Sequence, residues 1–145
     1  MKQKHMLGVA IALAATKFGT TTDRGGEPYM LHCLKVMEGL NEKDHELRAI
    51  GVMHDVVEDT DVTLDDLANM GFSFRVVNGV DGMTKRENET YEDFVRRCAT
   101  NEDSRLAKIE DLKHNSDITR LKGIGKKDIE RMEKYHRAYL YLIGV

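Results

Sequence analysis

Apolar residues in this chain recur at the three- and four-residue intervals of an α-helix. Nowhere do they alternate with polar residues over a stretch long enough for a sheet. The pattern predicts an all-α fold, a single helical bundle of about seven to eight helices occupying residues 1–145. Met6, Val9, Ala10, Leu13 and Ala14 mark a helix over 3–18, broken by Gly19 and the polar run 20–26. Pro28, the only proline, suits the first turn of a helix over 28–40. A third helix is expected over 44–57, with Leu47, Ile50, Gly51 and His54 on one side. Thr63 with Asp66, and Thr90 with Asp93, have capping-box spacing. They open a short helix ended by Gly71 and another running to about Cys98. Residues 73–81 read as a short helix, although Val76-Val77 would also suit a strand. A helix over 103–118, a loop at Gly123-Ile124-Gly125 and a last helix over 127–143 complete the chain. No internal repeat or linker is visible.

Composition excludes several classes of function. The 145 residues are 41% hydrophobic and 32% charged, with a net charge of −3, so the surface as a whole is not a trap for polyanions. No apolar run approaches the roughly 18 residues of a membrane span, and the first residues lead to no signal-peptide cleavage site. Cys33 and Cys98 are far apart and have no partners at metal-ligand spacing. They read as two buried thiols in a reducing compartment, and a cytoplasmic protein is the expectation.

The chemistry is concentrated in three segments. His54-Asp55-Val56-Val57-Glu58-Asp59-Thr60 offers an imidazole and a carboxylate, with two further carboxylates four residues on. If the helix continues, His54 stacks over Glu58 and Asp55 over Asp59. Imidazole and carboxylate donors suit Mn²⁺, Fe²⁺ or Zn²⁺ better than Ca²⁺. A second segment, Pro28-Tyr29-Met30-Leu31-His32, places a histidine one turn into a helix after a glycine-rich loop. The third, Lys108-Ile109-Glu110-Asp111-Leu112-Lys113-His114-Asn115, puts Asp111 and Asn115 on one helical face. Taken singly, a His-Asp pair is a weak signal, His32 reads as a core histidine, and Asp111 as an ion-pair partner of a lysine.

Together, in this order, PYMLH, HDVVEDT and KIEDLKHN resemble the HD hydrolase domain of RelA/SpoT-type alarmone enzymes, and most of all its small stand-alone hydrolases. Asp81-Gly82-Met83-Thr84-Lys85 and Glu89-Thr90-Tyr91-Glu92-Asp93-Phe94 are similar as well, so the likeness runs from about residue 6 to about 142. The resemblance implies one divalent metal, Mn²⁺, held by His32, His54, Asp55 and Asp111. It implies that Glu58 and Asp59 position or activate the attacking water, and that Asn115 contacts substrate phosphate or ribose. The implied reaction removes the 3′-pyrophosphate of (p)ppGpp, and the chain is too short to hold a synthetase domain too. Tyr29 belongs to the same substrate side. Lys85, Lys108 and Lys113 are cations suited to neutralising phosphate charge. The long enzymes carry an Arg-Lys pair where this chain has Thr22 and Asp23, and often His and Gln where it has Lys17 and Thr20. Arg24 is the residue that would take over a cationic role, and the purine base is left open.

Two other readings compete. One is an HD phosphohydrolase acting on another nucleotide, such as a monophosphate. The other is a nucleic-acid-binding module, because Leu121-Lys122-Gly123-Ile124-Gly125 resembles a helix-hairpin-helix turn. Residues 120–137 hold seven Lys/Arg against three Asp/Glu, a local +4 that leaves −7 elsewhere. A glycine-terminated helix followed by a basic one explains the same stretch, and nucleic acid is not the expected partner.

Overall fold

A computed structural model describes all 145 residues, and it is helical throughout. The helices are α1 (Gln3–Lys17), α2 (Tyr29–Glu38), α3 (His45–Val52), α4 (Val56–Asp59), α5 (Leu64–Asn69), α6 (Phe74–Gly82), α7 (Tyr91–Ala99), α8 (Glu102–Asn115) and α9 (Lys126–Ile143), with a 3₁₀ turn at Ile118–Arg120. The only extended pairing is an isolated bridge between Thr22 and Pro28. No helix is long and apolar enough to cross a membrane.

The capping residues behave as their chemistry predicts. Thr63 and Asp66 form a reciprocal capping box on α5, and Gly71, at φ +96°, follows its end. The Thr90 side chain accepts from the Asp93 amide at the start of α7. Val76 and Val77 lie in a helix. Pro28 sits one residue earlier than expected, extended at the N-cap of α2 rather than inside its first turn.

The helix expected over 44–57 is a correction. It stops at Val52, and Met53 to Asp55 leave helical geometry before the single turn α4. His54 stabilises the break itself, because its Nδ1 lies 2.8 Å from the Gly51 carbonyl, an acceptor that a continuous helix would use for the Asp55 amide.

The main core is built around α3, which packs against α1, α2, α6 and α8. Ile50, Val52 and Met53 are fully buried there, with Ala10 and Ala14 of α1 allowing close approach. A smaller cluster of Val95, Leu112, Ala138 and Leu142 holds α7, α8 and α9 together. A Cβ on Gly79 would meet the Ile50 Cδ1 at 2.4 Å, and one on Gly82 would meet the Ser104 Oγ at 2.2 Å. Ser104 uses that space to donate to the Gly79 carbonyl at 2.7 Å, which sets the depth of α8 against α6.

Gly79→Ala is therefore expected to cost about 1–3 kcal/mol by overpacking α6 against α3. Urea unfolding followed by circular dichroism checks it, and an unchanged midpoint would show that α6 has room to move.

Candidate metal centre and cleft

Three elements converge on one buried point. His32 comes from α2, His54 and Asp55 from the break after α3, and Asp111 from α8. His32 and His54 are each 1% exposed and Asp111 is 4% exposed. His54 Nε2 lies 3.0 Å from Asp55 Oδ2 and 3.2 Å from Asp111 Oδ1, and His32 Nε2 lies 3.0 Å from Asp111 Oδ1. His32, His54 and Asp55 each offer a donor atom, all within 4.8 Å of one another, which suits them to hold a metal ion.

The decisive atom is His54 Nε2, which is buried and has no hydrogen-bond partner. Since Nδ1 donates to the Gly51 carbonyl, the neutral ring carries its lone pair on Nε2. That lone pair faces two carboxylate oxygens, an arrangement that is repulsive unless a cation or a proton lies between them. Burial lowers the pKa of His54, but the charges of Asp55 and Asp111 overcome this and hold it well above the ordinary value. A proton and a divalent cation thus answer the same electrostatic demand, and the donor set fits a divalent transition metal.

The neighbours of these residues hold them in place. Burial pushes Asp111 up, yet Lys108 and the two histidines keep it ionised, well below the usual carboxylate range. Lys108 Nζ lies 2.8 Å from Asp111 Oδ2, and Asn115 Nδ2 donates to Asp111 Oδ1 at 3.0 Å. The Tyr29 hydroxyl donates to Asp55. His32 Nδ1 lies 2.7 Å from His114 Nδ1, the two rings stacked with centroids 5.0 Å apart. Burial, Arg120 and His32 lower the pKa of His114 to about 4, so its ring is neutral and can accept from His32 Nδ1–H. That bond orients His32 Nε2 toward the site.

Above this point lies a cleft of about 580 Å³. Asp59 opens onto it, and burial together with the charges of Asp55 and Glu58 raises its pKa to about 6. Glu58 accepts from the Lys85 amide at 2.7 Å. Asp55, Glu58 and Asp59 also stand within 4.8 Å of one another, although no continuous helix stacks them.

Of the six residues expected on the substrate side, Arg24, Tyr29, Lys85, Lys108 and Asn115 line the cleft, whereas Lys113 lies outside it, on the exposed face of α8 beside Glu110. The five in the cleft divide into two groups. Tyr29, Lys108 and Asn115 are engaged with Asp55 or Asp111, whereas Arg24 and Lys85 are exposed in the cleft. Sequence reasoning missed His114, although it lies within the KIEDLKHN segment. It also missed Arg120, Arg131 and Lys134, which line the cleft wall. Their signal was the +4 stretch. At the Gly123-Ile124-Gly125 turn, the Gly125 amide is taken by the Asp128 carboxylate at 2.8 Å, which puts negative charge where a phosphate would have to sit.

No family model matches the chain. It is 35% identical over 118 residues to the guanosine-3′,5′-bis(diphosphate) 3′-pyrophosphohydrolase of Aquifex aeolicus, covering 73% of this chain and 16% of that protein. It is 35% identical over 97 residues to the protein of the same name in Vibrio cholerae, covering 63% of this chain and 13% of that one. It also matches a protein of Myxococcus xanthus named GTP pyrophosphokinase, 39% identical over 64 residues, covering 43% of this chain and 8% of that one. A solved structure described as a metazoan ortholog of SpoT that hydrolyzes ppGpp superposes with a TM-score of 0.75 at 20% identity, covering 94% of this chain and 84% of that one. The chain belongs to the RelA/SpoT-type HD-domain family. It spans about a sixth or less of the two bacterial relatives, so it corresponds to one part of those long enzymes. The structural match extends the family's helical fold over nearly the whole chain.

If the four residues are ligands, His54→Ala and Asp111→Ala are expected to retain no stoichiometric divalent metal. His114→Phe keeps the stacked ring but not its nitrogens, and is expected to weaken metal affinity roughly 10- to 100-fold. Elemental analysis of protein purified without chelator, followed by Mn²⁺ titration, checks both. Metal content equal to wild type in His54→Ala or Asp111→Ala overturns the ligand assignment.

Proposed function

We propose that this HD domain is a divalent-metal-dependent pyrophosphohydrolase that removes the 3′-pyrophosphate from (p)ppGpp-like purine alarmones, with Mn²⁺ held by His32, His54, Asp55 and Asp111. The observation that carries the reading is the unpartnered His54 Nε2, facing two carboxylates at the floor of a cleft with cationic walls. The names and activities of the matched relatives support the substrate class.

When bound, a divalent cation there withdraws charge from a phosphoryl oxygen and makes a water acidic enough to react near neutral pH. The rest of the chemistry belongs to the chain. Asp59, a carboxylate that opens onto the cleft beside Asp55, is suited to take a proton from the attacking water and to give it up again. Glu58, anchored on the Lys85 amide, fixes the orientation of α4 and hence of Asp59. Lys85 and Arg24 meet the phosphate charge that the substrate brings into the cleft. Lys108, 2.8 Å from Asp111 Oδ2, keeps that carboxylate ionised.

The purine base is a separate question, because Asp23 occupies a loop position where the long enzymes are basic. Arg24→Ala is expected to raise KM more than it lowers kcat, since it removes an interaction that is equal in ground and transition states. Comparing guanosine and adenosine tetraphosphate substrates measures this, and an unaltered KM with both would remove Arg24 from substrate binding.

The direct test is incubation of the purified chain with ppGpp and Mn²⁺. Release of pyrophosphate is expected, whereas orthophosphate release would favour an HD phosphohydrolase of different specificity. Asp59→Asn is expected to retain metal and lose roughly two to four decades of kcat, and Glu58→Gln, which still accepts from the Lys85 amide, to retain metal with a smaller loss. Wild-type turnover in both variants would exclude these carboxylates from the reaction.

A further inference from the structure

Arg120, at the end of the 3₁₀ turn, joins two parts of the cleft that are nearly a hundred residues apart in sequence. Its Nη2 donates to Asp23 Oδ2 at 3.0 Å. Its Nη1 donates to the His114 carbonyl at 2.9 Å and to Asn115 Oδ1 at 3.3 Å. The main chain is engaged as well, because a Cβ on Gly25 would meet the Arg120 carbonyl oxygen at 2.3 Å.

Each end of this bridge leads to a different function. On one side, Asp23 Oδ1 accepts the amides of Gly25 and Glu27, both at 2.9 Å, and so shapes the loop that presents Arg24 to the cleft. On the other side, Asn115 donates to Asp111 and His114 meets His32, so both residues held by Arg120 orient side chains of the candidate metal centre. We infer that Arg120 is a positioning residue that holds the substrate loop at 20–26 and the metal-facing end of α8 in one fixed register. The inference rests on the metal-hydrolase reading of the cleft. A guanidinium suits the task because its planar fork directs donors to acceptors on two sides, which a single ammonium cannot do.

The design separates the two arms. In Asp23→Asn the side-chain oxygen still accepts from Gly25 and Glu27, but the charge facing Arg120 is gone. We expect this variant to raise KM for ppGpp about ten-fold while leaving Mn²⁺ affinity near that of wild type. Arg120→Met cuts both arms, and is expected to raise KM and also to weaken Mn²⁺ binding, read from free Mn²⁺ by electron paramagnetic resonance, by roughly ten-fold. Trypsin cleavage after Arg24, followed on protein without added metal, should accelerate in both variants.

A lower thermal midpoint for Arg120→Met, with wild-type KM and wild-type Mn²⁺ affinity, would reduce Arg120 to an ordinary salt bridge and overturn the inference. Should Arg120→Met fail to fold, Asp23→Asn decides, since an unchanged KM and unchanged trypsin cleavage refute the coupling. Failure of the functional reading is distinct. It shows as wild-type protein that releases no pyrophosphate or binds no Mn²⁺, and in that case the Mn²⁺ and trypsin arms, or trypsin alone, still decide whether Arg120 docks the loop.

Discussion

A carboxylate cannot be taken out of water alone, and Asp111 is almost entirely out of water. An unpaired buried charge costs several kcal/mol, so the surrounding structure has to supply partners in the right places. Lys108 and Asn115 come from the same helix at i−3 and i+4, as helical geometry allows. His32 and His54 come from two other elements, and their approach is what draws α2 and the end of α3 onto α8. The same charge that organises these contacts makes the point between the imidazoles and carboxylates attractive to a cation. Packing and chemistry at this site are therefore one constraint rather than two.

The break after Val52 is the second element of the arrangement. Adjacent residues on a continuous helix point about 100° apart, so His54 and Asp55 could not both address one buried point from an unbroken α3. Leaving the helix at Met53 lets both side chains turn inward, and the Gly51 carbonyl released by the break receives His54 Nδ1. One hydrogen bond thus ends the helix, selects the tautomer and aims Nε2. The short turn α4 that follows carries Glu58 and Asp59 to the cleft floor, where they keep company with Asp55.

Around this centre the braces run outward through polar contacts. His114 backs His32, Asn115 backs Asp111, and Arg120 backs His114 and Asn115 while reaching across to Asp23. The cleft wall opposite is the basic side of α9, held on α7 and α8 by a small apolar cluster. Two cores meeting at a polar seam leave the cleft along that seam, lined by both acidic and basic side chains.

Much of this was legible in the sequence, because it depends on local rules. Helical periodicity, the capping threonines and the turn glycines determined which segments are helices, and the three motifs singled out the imidazoles and carboxylates that the fold brings to one buried point. Those signals are short-range and survive without any knowledge of packing. What only the tertiary structure decided depends on groups distant in sequence. The end of α3 at Val52 hinges on a side chain satisfying a carbonyl, which periodicity does not report. Whether a basic residue braces or binds could not be read from its identity: Lys108 is committed to Asp111, whereas Lys85 is exposed in the cleft. The +4 charge of residues 120–137 was visible, but its division into Arg120, facing inward to Asp23, and Arg131 and Lys134, along the cleft wall, follows from how α9 and the 3₁₀ turn pack. A charge is a local property, whereas its partner is set by the fold.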